Sequence, residues 1–154
     1  MKAATYTELL EQVRTLCQQD RASAPEAIVA LLHQRLEGWD WVGWYLTDPA
    51  DPRMLVLGPY RGAATDHTHI PFGRGICGQA AERAASIVVL DVSQEENYLA
   101  CSSETRSEIV VPLLHEGRVI GQIDVDSHRA GHFGEPERLF LEELCRIACP
   151  VFLA

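Results

Sequence analysis

The residues best suited to chemistry lie in the second half of the chain. In Gly121-Gln122-Ile123-Asp124-Val125-Asp126-Ser127, acidic and branched apolar side chains alternate. Successive side chains of a strand point to opposite faces, so Ile123 and Val125 face a core while Asp124 and Asp126 share the other side. Two carboxylates that close repel each other unless a cation, a proton or hydrogen-bond donors sit between them. Glu108 opens the preceding apolar run Ile109-Val110-Val111, and only His115-Glu116-Gly117 separates that run's strand from the next. So short a connection pairs the two strands antiparallel and brings Glu108 beside Asp124 or Asp126. The bland alternative is a solvated acidic face.

Among the five cysteines, at least one could be catalytic or redox-active. Cys101 stands seven residues before Glu108, in the polar stretch Ala100-Cys101-Ser102-Ser103-Glu104. Reactivity needs an accessible thiolate, and a loop offers more access than a core; an incidental small residue is the competing reading. Cys77 follows Gly73-Arg74-Gly75-Ile76 at the start of an expected helix, where free N–H groups favour a thiolate. Packing beneath the glycine loop is an equal alternative. Cys17, Cys145 and Cys149 fall at helical spacing among apolar residues and read as core. Trp41 and Tyr45 share one face of a strand, with Trp44 on the other. On the same face as the acids they suit a cavity for a small apolar group, although strand aromatics are more often plain core. Gly73-Arg74-Gly75 lacks the spacing of nucleotide-binding loops. The six histidines show no metal-ligand spacing, His67 and His69 being too few, so no metal is expected.

These residues need elements to position them. Thr5 to Gln19 reads as an amphipathic helix, and a second starts near Pro25 with Ile28, Leu31, Leu32 and Leu36 inward. Trp41 to Thr47 and Met54 to Gly58 form a hairpin about a turn rich in Pro and Asp. Arg61 to Gly75 is a polar loop, Ile76 to Ala85 a short helix, Ser86 to Leu90 a short strand, and Ser93 to Ala100 another short helix. Arg106 to Leu114 and Arg118 to Ser127 are strands. Pro136 to Leu153 is a closing helix with Leu139, Phe140, Leu144, Ile147, Ala148 and Val151 inward. The expected fold is α+β: a central antiparallel sheet with the terminal helices on one face.

Composition narrows the function classes. The 154 residues suit a single domain, and 47% apolar content supports a real core. A net charge of −9 and the absence of a basic run argue against nucleic acid. No apolar stretch suggests a membrane span and the first residues do not read as a secretory signal, so a cytoplasmic protein is expected. Five cysteines, an odd number without a CxxC, suggest neither a disulfide framework nor a zinc ribbon.

Taken together, Trp41-Val42-Gly43-Trp44-Tyr45-Leu46, Leu57-Gly58-Pro59-Tyr60-Arg61-Gly62, Ile70 to Gly78, Ala100-Cys101, Ser107 to Pro112 and Ile123 to Ser127 resemble the free methionine-(R)-sulfoxide reductases, which are stand-alone GAF-domain enzymes. The match runs from about Tyr6 to Leu153, with the motifs in order and spacing, and implies one GAF domain over residues 1–154. It implies that Cys101 is the catalytic cysteine. Glu108, Asp124 and Asp126 would hold the substrate's sulfoxide oxygen and ammonium group. Trp41 and Tyr45 would wall the sulfur substituents, and the loop before Ile70 would cover the pocket and offer backbone donors to the substrate carboxylate. The family's usual resolving cysteine, about ten residues before the Cys77 position, is absent from Thr65-Asp66-His67-Thr68-His69, which leaves Cys77 as the candidate resolving thiol. No bound cofactor is implied; thioredoxin or a small thiol would be the external reductant. Two other readings fit less of the sequence: a non-catalytic GAF sensor for an amino-acid-like ligand, and a dimerisation module using the terminal helices. A homodimer is compatible with each.

Overall fold

The computed structural model describes residues 2–98 and 104–153; Cys101 and its immediate neighbours lie outside the described residues. Six strands form one antiparallel sheet among them: β1 (Trp41–Asp48), β2 (Asp51–Arg61), β3 (His69–Pro71), β4 (Ile87–Val89), β5 (Ser107–His115) and β6 (Arg118–Ser127), in the order β3-β2-β1-β6-β5-β4. Helices α1 (Lys2–Gln19), α2 (Ala24–Arg35) and α4 (Glu135–Ala148) cover one face, and α3 (Gly75–Arg83) covers the other. The expected class and the terminal helices on one face are both present. No helix among the described residues is long and apolar enough to cross a membrane.

Two cores result. The larger joins Leu9 and Val13 of α1, Ile28 and Leu32 of α2, and Phe140 and Leu144 of α4 to Val42, Trp44, Ile123 and Val125 of the sheet. Trp44 is fully buried there, and its Nε1 donates to the Pro25 carbonyl at 2.9 Å, fastening the start of α2 to β1. Glu137 ties α1 to α4: it accepts from Tyr6 Oη at 2.6 Å and from the Gly134 amide at 2.7 Å, and pairs with Lys2 at 3.0 Å. The smaller core lies beneath α3 and holds Trp41, Tyr45, Leu55, Ile76, Cys77, Ala80 and Val110. Both sheet faces are thus covered, and polar side chains on the α3 side are buried too.

The β5–β6 hairpin turns through Glu116 (φ 52°) and Gly117 (φ 79°), two successive left-handed residues, as the twist of a tight hairpin requires. This turn fixes the register on which the site depends.

Several expectations need correction. β2 begins at Asp51, so the first turn is shorter than expected, and the stretch 61–75 contains the short strand β3. The helix expected over Ser93 to Ala100 is a single 3-10 turn, Val92–Gln94, capped by Asp91, whose carboxylate accepts from the Ser93 amide; residues 95–98 are not helical, and 99–100 lie outside the described residues. The closing helix ends at Ala148 and tightens into a 3-10 turn over Cys149–Phe152. Leu139 is 55% exposed; Leu141 takes the inward place.

Candidate active site

The hairpin register lays side chains in rows on the α3 face. Glu108 of β5 pairs with Asp126 of β6, which pairs with Trp41 of β1. The next row is Val110, Asp124 and Gly43, and the third is Pro112, Gln122 and Tyr45. The sequence places Glu108 beside one of the two aspartates, and the structure makes it Asp126. The acids are not a solvated face: Glu108, Asp124 and Asp126 are 2, 0 and 1% exposed.

Burial of that kind has an electrostatic consequence. The Glu108 carboxyl is pushed well above the ordinary glutamate range, first by burial, then by the negative charges of Asp124 and Asp126, and further by hydrogen bonding with both. Glu108 therefore keeps its proton at a pH where an exposed glutamate has lost it, as a proton donor must.

The aromatic wall is built as tightly. The Trp41 ring folds over Gly43, where an added Cβ would meet Trp41 Cη2 at 2.4 Å, so only glycine fits beneath it. Trp41 stacks on Tyr60 with centroids 5.3 Å apart, and lies 6.3 Å from the Tyr45 ring. The polar ends of both site aromatics reach outward to the covering loop: Trp41 Nε1 donates to Ala63 O at 3.0 Å, and Tyr45 Oη to His67 O at 2.8 Å. The loop before Ile70 is thereby tied down over the wall.

Cys77, on the first turn of α3, is buried at 5% exposure. Its Sγ and one carboxylate oxygen each of Glu108 and Asp124 all lie within 4.8 Å of one another. Gly78 makes the approach of α3 possible, since a Cβ there would meet the Pro71 carbonyl at 2.6 Å. The leading amide of the helix is not left open: Gly75 N donates to Asn97 Oδ1 at 2.7 Å, while Asn97 Nδ2 donates to Gly73 O at 2.8 Å. Cys77 thus lies beside the acid cluster and is also packed in the second core.

Two polar residues of the site were not anticipated. Tyr98 rests its ring on the second core. Its buried Oη has no hydrogen-bond partner among the described residues, and burial and then the charges of Asp126 and Glu108 hold the phenol protonated far above its usual range. Nothing in the sequence pattern marks Tyr98. Gln122 is fully buried, and among the described residues neither its Oε1 nor its Nε2 has a partner. It lies two positions before Asp124, so alternation alone puts it on the same face.

The remaining cysteines behave as core. Burial pushes the Cys17, Cys145 and Cys149 thiols up, and Cys145 and Cys149 sit against the carbonyls of Val111 and Leu114. The expected nucleophile, Cys101, lies outside the described residues.

Residues 18–148 match the GAF domain family. GAF domain-containing protein A of Dictyostelium discoideum is 34% identical over 95% of this chain and 91% of its own length. The free methionine-R-sulfoxide reductase of Escherichia coli is 37% identical over 75% of this chain and 67% of its own. The structure of free methionine-R-sulfoxide reductase from Neisseria meningitidis in complex with its substrate superposes with a TM-score of 0.92 at 42% identity, covering 99% of this chain and 90% of that one. The chain belongs to the GAF-domain family and, within it, to the free methionine-R-sulfoxide reductases.

Proposed function

We propose that this pocket reduces free L-methionine-(R)-S-oxide to L-methionine by thiol chemistry. The observation that carries the reading is the cluster of three buried acids on two adjacent rows facing an aromatic wall, where burial and the neighbouring aspartates raise the Glu108 carboxyl well above its ordinary range. A sulfoxide sulfur is a poor electrophile until its oxygen is protonated or hydrogen-bonded, and Glu108 supplies that proton. Asp124 and Asp126 receive the free ammonium group, which a methionine inside a peptide lacks. Trp41 and Tyr45 flank the apolar substituents on sulfur.

Cys101 attacks as thiolate. The sulfoxide S–O bond breaks, methionine sulfur gains two electrons, and Cys101 is oxidised to a sulfenic acid carrying the oxygen. A second thiol then expels that oxygen as water and forms a disulfide, which a thioredoxin-type dithiol or a small thiol reopens. Cys77 is our candidate for the second thiol, because it is the described cysteine beside the acids. This cycle calls for a reducing compartment such as the cytoplasm.

Turnover of the separated R and S sulfoxides with dithiothreitol tests the reading. The R form is reduced by the wild-type protein and not by Cys101→Ser. Turnover retained in Cys101→Ser refutes the scheme, and failure of the wild-type protein to release methionine refutes the function.

A further inference from the structure

The thiol of Cys77 and the carboxylates of Glu108 and Asp124 converge from three separate elements, α3, β5 and β6. One thiolate and two carboxylates form a donor set for a borderline-soft divalent cation, with bonds of about 2.0–2.3 Å and one position left open in a tetrahedron. Donor atoms around such an ion stand roughly 3.5 Å apart by that geometry. Donors already within 4.8 Å of one another need only small rotations of side chains to close on it. A second observation points the same way: Glu108 Oε1, in a residue 2% exposed, accepts no hydrogen bond among the described residues.

We propose that, in the reduced and substrate-free protein, Cys77, Glu108 and Asp124 bind a divalent cation of the zinc class, which closes the pocket to substrate. Coordination releases the thiol and carboxylic protons to solvent. It leaves no electron transferred, so the effect reverses with a chelator. The block of turnover rests on the pocket being the sulfoxide site proposed above; the binding of the cation does not.

Cobalt(II) is the probe, because its thiolate complexes absorb. The reduced, metal-stripped protein is titrated with cobalt(II) in the near-ultraviolet and visible. A thiolate-to-cobalt charge-transfer band saturating at one equivalent, bleached by zinc, is expected for the wild-type protein and for Cys101→Ser. The band is lost in Cys77→Ser and in Cys77→Ala, and Asp124→Asn loses it or requires far more cobalt. Far-ultraviolet circular dichroism verifies that each variant folds. Absence of the band in the wild-type protein, its persistence in either Cys77 variant, or its loss in Cys101→Ser overturns the assignment. A band in a protein that releases no methionine from the sulfoxide upholds the cation site and refutes the reductase reading alone.

Discussion

Substituting Gly43 by alanine adds one methyl group where the Trp41 ring already lies. The new Cβ would stand 2.4 Å from Cη2 and 2.6 Å from Cζ3 of Trp41, and 2.8 Å from Tyr60 Cβ. Carbon atoms in contact prefer about 3.5–4.0 Å, so one atom or the other must move by about 1 Å. Trp41 has little room to yield, being stacked on Tyr60 and bonded through Nε1 to Ala63. Overpacking of this kind costs about 1–3 kcal/mol. For a domain of this size each kcal/mol lowers Tm by about 2–4 °C, giving a fall of roughly 2–12 °C. The same shift misplaces the wall facing the acids, and a 1 Å misplacement can cost up to about 10²-fold in rate. Thermal unfolding and kcat/KM for methionine-(R)-sulfoxide measure both. Gly131→Ala is the control, since its Cβ meets nothing within 4 Å and only its φ of +65° is strained; it loses stability without losing kcat/KM. If Gly43→Ala keeps both its Tm and its kcat/KM, Trp41 does not form a rigid wall and the reasoning fails.

Glu108→Gln removes an acid whose carboxyl, by burial first and then by Asp124 and Asp126, is raised well above the ordinary glutamate value of 4.5. Between those two values the unfolded chain has released a proton that the folded protein retains, so wild-type stability falls as pH rises from about 4.5, by about 1.4 kcal/mol per unit of pH, until the folded group ionises. Denaturant unfolding across pH therefore shows the variant gaining on the wild type as pH increases through that window, while turnover collapses; parallel stability curves would contradict a buried, proton-holding Glu108. Tyr98→Phe removes only a buried hydroxyl that has no hydrogen bond among the described residues, so stability changes by under about 1 kcal/mol. If the phenol meets substrate, kcat/KM falls by about tenfold, the worth of one hydrogen bond; unchanged kinetics would place Tyr98 in a purely packing role.

What could be read from the sequence was whatever depends on strand alternation and a short turn. Asp124 and Asp126 on one face, Trp41 and Tyr45 on one face, and Glu108 beside the aspartates all follow from a period of two and the hairpin at Glu116-Gly117. Depth was not legible. The sequence does not show that α3 covers the acid face, and that cover turns three carboxylates from a wet surface into a buried, proton-sharing group. Over the described residues 93–98 the expected helix gives way for a tertiary reason: Asn97 bridges Gly73 and Gly75 instead of joining a helix. Leu139 illustrates the limit of periodicity, since Leu141 and Leu139 both fit an apolar stripe and only packing against α1 and the sheet chooses between them. Tyr98 had no pattern at all to reveal it.

The Asn97 bridge has a mechanical side. Its amide grips both sides of the turn that launches α3, and Gln79 Nε2 donates back to the Asn97 carbonyl at 3.1 Å. Cys77 rides two residues beyond that turn, and Cys101 follows Asn97 by four positions in the chain. The root of α3, and with it Cys77, is therefore pinned to the segment around Asn97 by two side chains, so a displacement of that segment pulls on the helix that carries the thiol.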